Sequence, residues 1–265
     1  MKSIDKTILV PTDFSVVADY ALQHAIRVSG VVGEPVALLH IVDSPDKVSA
    51  AKERIEAIAA AAEQKHGIRP STIVKAGSIF TDIAETARAL NCSLVIMGSH
   101  TVRGKDELTG TNTLRVITSS PVPFITIQEP PVNKRYDDIV FPVDFTLENK
   151  EKHTWISYFC DYYVSRFHLI KPLVTDPEQL AKVDLNMASA IRFLDERGAK
   201  YEVYTVPGKK QYAEEVLDAA VNIRADLIVI MTTKASANGE YTMQPQEQYI
   251  IGNARHIPIM SINPR

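Results

Sequence analysis

The sequence predicts an α/β protein of two tandem domains, each a five-stranded parallel sheet with helices on both faces. Three observations predict it. At about 150 residues per domain, a chain of 265 residues makes about two. Its halves repeat each other in order. Within each half, short apolar runs alternate with helical patterns.

The repeat begins with Ile8-Leu9-Val10-Pro11-Thr12-Asp13-Phe14-Ser15, which returns as Val140-Phe141-Pro142-Val143-Asp144-Phe145-Thr146. Pro11 then matches Pro142 and Gly77 matches Gly208, both at an offset of 131. Leu94-Val95-Ile96 matches Leu227-Ile228-Val229 at an offset of 133, and Pro123 matches Pro258 at 135. The slow drift indicates small insertions in a duplicated unit. Glu129-Pro130-Pro131-Val132-Asn133-Lys134 suits a linker. The expected domains are residues 1–132 and 133–265.

In the first copy, Thr7 to Pro11 is a short apolar run closed by proline, hence a buried strand. Residues 15–29 carry apolar positions at helical spacing. Val36 to Val42 is a second strand, and alanine-rich Asp46 to His66 a second helix, which Gly67 ends. Thr72 to Ala76, residues 81–91 and Leu94 to Met97 continue the alternation. Residues 99–110 form a polar loop, residues 111–119 a helix, and Val122 to Gln128 the last strand. The second copy predicts strands near 138–143, 166–171, 201–206, 227–231 and 257–262, with a loop from Ala235 to Gln246.

Composition excludes several functions. Lys plus Arg number 29 against 32 Asp plus Glu, a net charge of −3 that gives nucleic acid no basic surface. No apolar run approaches the roughly 18 residues of a membrane span, and the start resembles no signal peptide. The expected location is the cytoplasm, where Cys92 and Cys160 stay reduced and structural. GxxxxGK[ST], GxSxG, HExxH and a GxGxxG after the first strand are all missing.

Parallel open sheets bind ligands beyond the carboxyl ends of their strands, where strand order reverses. In strand order 2-1-3-4-5 or 3-2-1-4-5 alike, Pro11-Thr12-Asp13 borders that crevice; the second order also brings Met97-Gly98-Ser99-His100-Thr101 against it. That segment leads through Arg103 and Lys105 to Gly110-Thr111-Asn112 at the start of a helix. Bare backbone, hydroxyls and a helix N-terminus suit phosphate, and an aspartate can accept bonds from ribose or base.

These residues, with Leu39-His40-Ile41-Val42-Asp43, resemble the universal stress protein family, and the doubled arrangement resembles its tandem members. The resemblance implies flavodoxin/Rossmann-like domains of strand order 3-2-1-4-5. It also implies a cytoplasmic stress-response regulator that is not an enzyme and binds ATP, with AMP or ADP as alternatives and Mg2+ accompanying. It implies that Asp13 and the backbone of Ile41 take the adenosine, beside Pro11 and Thr12. Met97, Gly98, Gly110, Thr111 and Asn112 would line the phosphates. The family's glycine motif is altered: Thr101 replaces its second glycine and the following spacer is eight residues instead of nine. The second copy departs further, with Met231 at the place of Gly98 and Gly239-Glu240 in its loop, so nucleotide is expected in the first domain only. A protein interaction module without nucleotide and a slow ATP hydrolase are the rival readings.

Plainer roles compete at several positions. Asp13 and Ser15 suit capping of the first helix. His40 and His168 read as matching, satisfied residues at strand ends. Trp155, Tyr158, Phe159, Tyr162 and Tyr163 read as a core-packing helical face. The final strand of each copy lies at a sheet edge, and edges invite pairing. In the family the corresponding strands pair between protomers, so pairing of the two domains within one chain is expected, together with a homodimer and a protein partner of unknown kind.

Overall fold

The computed structural model describes residues 6–99, 111–144, 152–234, 241–253 and 255–264. The chain forms two compact units, residues 1–134 and 135–265.

The first unit runs β1 (Thr7–Pro11), α1 (Val16–Val32), β2 (Val36–Val42), α2 (Val48–His66), β3 (Ser71–Ala76), α3 (Ile79–Ala89), β4 (Cys92–Gly98), α4 (Thr111–Thr118) and β5 (Phe124–Ile127). Its strands are parallel, in the order β3-β2-β1-β4-β5. Strands buried on both faces need continuous apolar runs, and Ile8, Leu9, Val10, Val95 and Ile96 are all fully buried. Right-handed crossovers put α1 and α2 on one face and α3 and α4 on the other. Accordingly α1 packs on β1 and β4, α2 on β2 and β3, and α3 on α4.

Local chemistry sets the ends. Ser15 caps α1, its Oγ accepting from the Ala18 amide at 3.3 Å. The helix passes through Gly30 and stops at Gly33, whose φ of 77° is left-handed and whose amide donates to the Ser29 carbonyl. One internal glycine weakens a helix without ending it, so α1 extends three residues beyond the expected end. Likewise α2 starts at Val48, after a 3-10 turn over Pro45–Lys47.

The second unit runs β6 (Asp138–Pro142), α5 (Lys152–Tyr162), β7 (Arg166–Lys171), α6 (Pro177–Glu196), β8 (Lys200–Thr205), α7 (Tyr212–Ile223), β9 (Leu227–Met231), β10 (Thr233–Lys234), β11 (Tyr241–Thr242), α8 (Pro245–Ile251) and β12 (Ile259–Ile262). Its five parallel strands follow the order β8-β7-β6-β9-β12, the same 3-2-1-4-5 pattern. A separate antiparallel ladder joins β10 to β11. The sequence predicts a loop over 235–246; β11 lies within it, and α8 starts at Pro245, where the Gln244 amide donates to Glu247 Oε2 at 2.7 Å. The aromatic face of α5 is partly core: Phe159 and Tyr163 are buried and pack on Tyr136, while Trp155, Tyr158 and Tyr162 are half-buried.

Register fixes the correspondence between copies. Ile8 pairs with Val36 and Leu9 with Ala37; Ile139 pairs with Phe167 and Val140 with His168. His168 therefore corresponds to Ala37, not to His40, whose counterpart is Lys171. Residue identity had suggested a match that the ladders do not support. His168 is a mid-strand residue, 2.7 Å from Asp138 Oδ1 through Nε2.

Candidate functional site

The order β2-β1-β4 brings three carboxyl ends together. β1 ends at Pro11, and the Thr12 amide donates to the Leu39 carbonyl at 2.8 Å. Thr12 Oγ1 accepts from the Phe14 amide at 3.0 Å. Asp13 is exposed at the turn, its Oδ1 accepting from the Ser15 amide at 2.9 Å. The capping role expected of Ser15 is present, and Asp13 shapes the turn that presents it.

The turn has a support that sequence reading did not identify. Phe14 takes a left-handed φ of 66°, uncommon for a residue with a bulky side chain. Its ring lies 4.1 Å from that of His40 at 33°, with the Arg54 guanidinium 4.2 Å above it. His40 Nδ1 lies 2.7 Å from the Thr12 carbonyl oxygen. A carbonyl only accepts, so Nδ1 carries the proton. His40 is thus satisfied, as expected, while holding the strand end. Phe14 and Arg54 stand forty residues apart, with no spacing signal to link them.

On β4, Met97 and Gly98 are half-buried at the same edge. The register Met97 to Thr126 and Gly98 to Ile127 carries on to the Ser99 amide, which donates to the Ile127 carbonyl at 2.8 Å. Gly98 was expected to bare its backbone to a ligand. Packing already requires it: a Cβ there would stand 2.6 Å from the Val17 carbonyl oxygen and 2.9 Å from the Ala18 nitrogen, in the first turn of α1. Gly98→Ala is therefore expected to destabilise the first unit by about 1–3 kcal/mol, the usual result of overpacking. Urea unfolding checks this, and an unchanged midpoint would refute it.

Thr111 opens α4 and Asn112 is exposed in its first turn. Thr101 and Gly110 lie outside the described residues, as do His100, Arg103 and Lys105. Pro11, Thr12, Asp13, Ile41, Met97 and Gly98 thus share one edge of the sheet.

The second unit has the same edge with different contents. The Val143 amide donates to the Ile170 carbonyl at 2.7 Å, as Thr12 does to Leu39. Met231 pairs with Ile262, so it stands at the place of Gly98, and it is buried. α3 and α7 are followed by the left-handed residues Asn91 and Arg224, at an offset of 133. That offset aligns Ile79 with Tyr212. Ile79 is 39% exposed. Tyr212 instead turns its hydroxyl inward and donates to the Ile170 carbonyl at 2.6 Å. Burial, the Asp144 carboxylate and the nearby Val143 amide surround this phenol; the first two push its pKa well above the ordinary range, against the amide. Asn186 Nδ2 donates to the Asp144 carbonyl at 2.8 Å.

Burial, then the neighbouring Glu34, push the Cys92 thiol up to about 12. Burial also raises the Cys160 thiol. Among the described residues no cluster of three His, Cys, Asp or Glu side chains could hold a metal, and no helix is long and apolar enough to cross a membrane.

Residues 6–128 match the family model of the universal stress protein family, a span covering nearly all of the first unit. Residues 6–128 belong to that family. A universal stress protein from Archaeoglobus fulgidus DSM 4304 is similar over both units: TM-score 0.74, 19% identity, 98% of this chain and 97% of that one. A protein of unknown function from Pseudomonas aeruginosa PAO1 superposes with TM-score 0.67 at 17% identity, covering 99% of this chain and 94% of that one. These likenesses show the fold. No curated protein sequence matches the chain. The universal stress protein domain thus has the flavodoxin-like topology, with its candidate edge at the β1–β4 switch.

Proposed function

We propose that the first unit binds one adenine nucleotide, ATP in preference, and that the second binds none. The chain acts in the stress response through conformation or a protein partner rather than through turnover. One observation carries this reading: Asp13, Ile41 and Met97-Gly98 share the sheet edge where strand order reverses, and α4 opens at Thr111 on the β4–β5 crossover. The residues present fit the ligand. Ile79, which aligns with Tyr212, is exposed, whereas Tyr212 bonds the strand end in the second unit. Asp13 would accept from ribose or base, the Ile41 backbone would border the adenine, and the α4 N-terminus with Gly110 and Thr111 would receive the phosphates, which would bring Mg2+ with them.

The second reading is an interaction module without nucleotide. The packing requirement at Gly98 favours it, because that glycine no longer needs a ligand to explain it. Calorimetric titration with ATP separates the two: one site per chain is expected. Gly110→Val should lower affinity at least about tenfold, equal to about 1.4 kcal/mol, by placing a branched side chain in the phosphate path. Gly239→Val should leave it unchanged. Two equivalent sites would overturn the asymmetry, and no binding would overturn the nucleotide reading.

A further inference from the structure

We propose that Tyr212 is the residue that excludes nucleoside from the second unit, its phenol standing where the first unit receives the adenosine. The inference rests on the reading of the first unit given above. The ladders make the tips of β6 and β7 equivalent to those of β1 and β2. In the first unit that place lies between Asp13 and Ile41. In the second, Tyr212 reaches it from the first position of α7, and its hydroxyl meets the Ile170 carbonyl beside the Val143 amide and Asp144. These are the edge groups that a base or ribose would approach. Asn186 closes the same edge from α6 through the Asp144 carbonyl. A nucleoside would have to displace a buried hydroxyl from its acceptor, and a buried polar group left unpaired opposes binding.

Met231, at the place of Gly98, is a separate departure and lies at the phosphate end of the proposed site. Adenosine lacks phosphate, so it isolates the part played by Tyr212. The test is photolabelling of the full chain with 8-azidoadenosine, competed with adenosine and mapped by peptide. The wild type should label within residues 7–132 alone. Tyr212→Ile, carrying the residue type of Ile79, should gain competed labelling on peptides that contain Asp144 or residues 171–176. Tyr212→Phe keeps the ring and should stay unlabelled there. Tyr212→Leu serves if the isoleucine variant lacks a cooperative thermal transition. Wild-type labelling in the second unit overturns the proposal, and so does a folded Tyr212→Ile or Tyr212→Leu without it. Loss of labelling in the first unit alone counts against the nucleotide reading there, while peptides of the second unit still decide the role of Tyr212.

Discussion

Acidification from pH 6.5 to pH 4 is expected to cost the first unit about 3 kcal/mol through one histidine. His24 is 2% exposed on α1. Its Nε2 lies 3.1 Å from the Glu129 carbonyl oxygen and donates to it; its Nδ1, 3.1 Å from Arg27, accepts. Both ring nitrogens are used by the neutral form. Burial, and then the Arg27 charge, lower its pKa to about 3, against the opposing pull of the Glu129 carbonyl. The unfolded chain takes a proton near the ordinary value of 6.5, and the folded chain refuses it until about 3. Stability is therefore complete above the unfolded value and falls with pH between the two, by about 1.4 kcal/mol per unit. Urea unfolding of the wild type and His24→Gln from pH 7 to 4 measures it. The wild type should be steeper by about one proton; parallel profiles would refute the assignment. Arg27 also donates to the Asn133 carbonyl at 2.7 Å, so the same pair of side chains fixes the proline-rich segment that sequence composition suggests as a linker.

Glu215→Ala should destabilise the second unit by about 2–3 kcal/mol. This carboxylate is 5% exposed and accepts three backbone amides, from Gly208 at 3.1 Å, Lys209 at 2.7 Å and Lys210 at 3.2 Å. Removing it strands three donors, and each unsatisfied group costs about 1–3 kcal/mol unless water reaches it. Glu215→Gln keeps an acceptor oxygen and should lose less. Denaturant midpoints of the three proteins decide, and a loss below about 0.5 kcal/mol for the alanine variant would show that the loop supports itself. The first unit uses the same device in a shorter loop, where Asp82 Oδ2 accepts the Ser78 amide at 2.9 Å.

Much of the fold was legible because buried parallel strands are written as unbroken apolar runs. β1 and β9 fall where such runs predict them, and β2 and β7 fall where expected although His40 interrupts one run and Arg166, His168 and Lys171 the other. The two-residue strands β10 and β11 carry no such run, being set by their pairing with each other. At the candidate site, Asp13 and Gly98 stand out in the sequence because topology places them. What sequence could not show is what each residue touches. Gly98 reads as a ligand contact, and only the structure shows that the first turn of α1 packs against it as well. Tyr212 reads as an ordinary first helical residue until its hydroxyl is found on Ile170. The supposed match of His40 with His168 shows that identity without register misleads.

The depth of Cys92 has a consequence for oxidative chemistry. Peroxides and electrophiles react with thiolate, and a thiol titrating at about 12 holds on the order of one part in 10⁵ as thiolate at neutral pH. Burial works in the same direction at Cys160. A redox signal thus finds slow chemistry at Cys92, and the same burial disfavours the thiolate at Cys160.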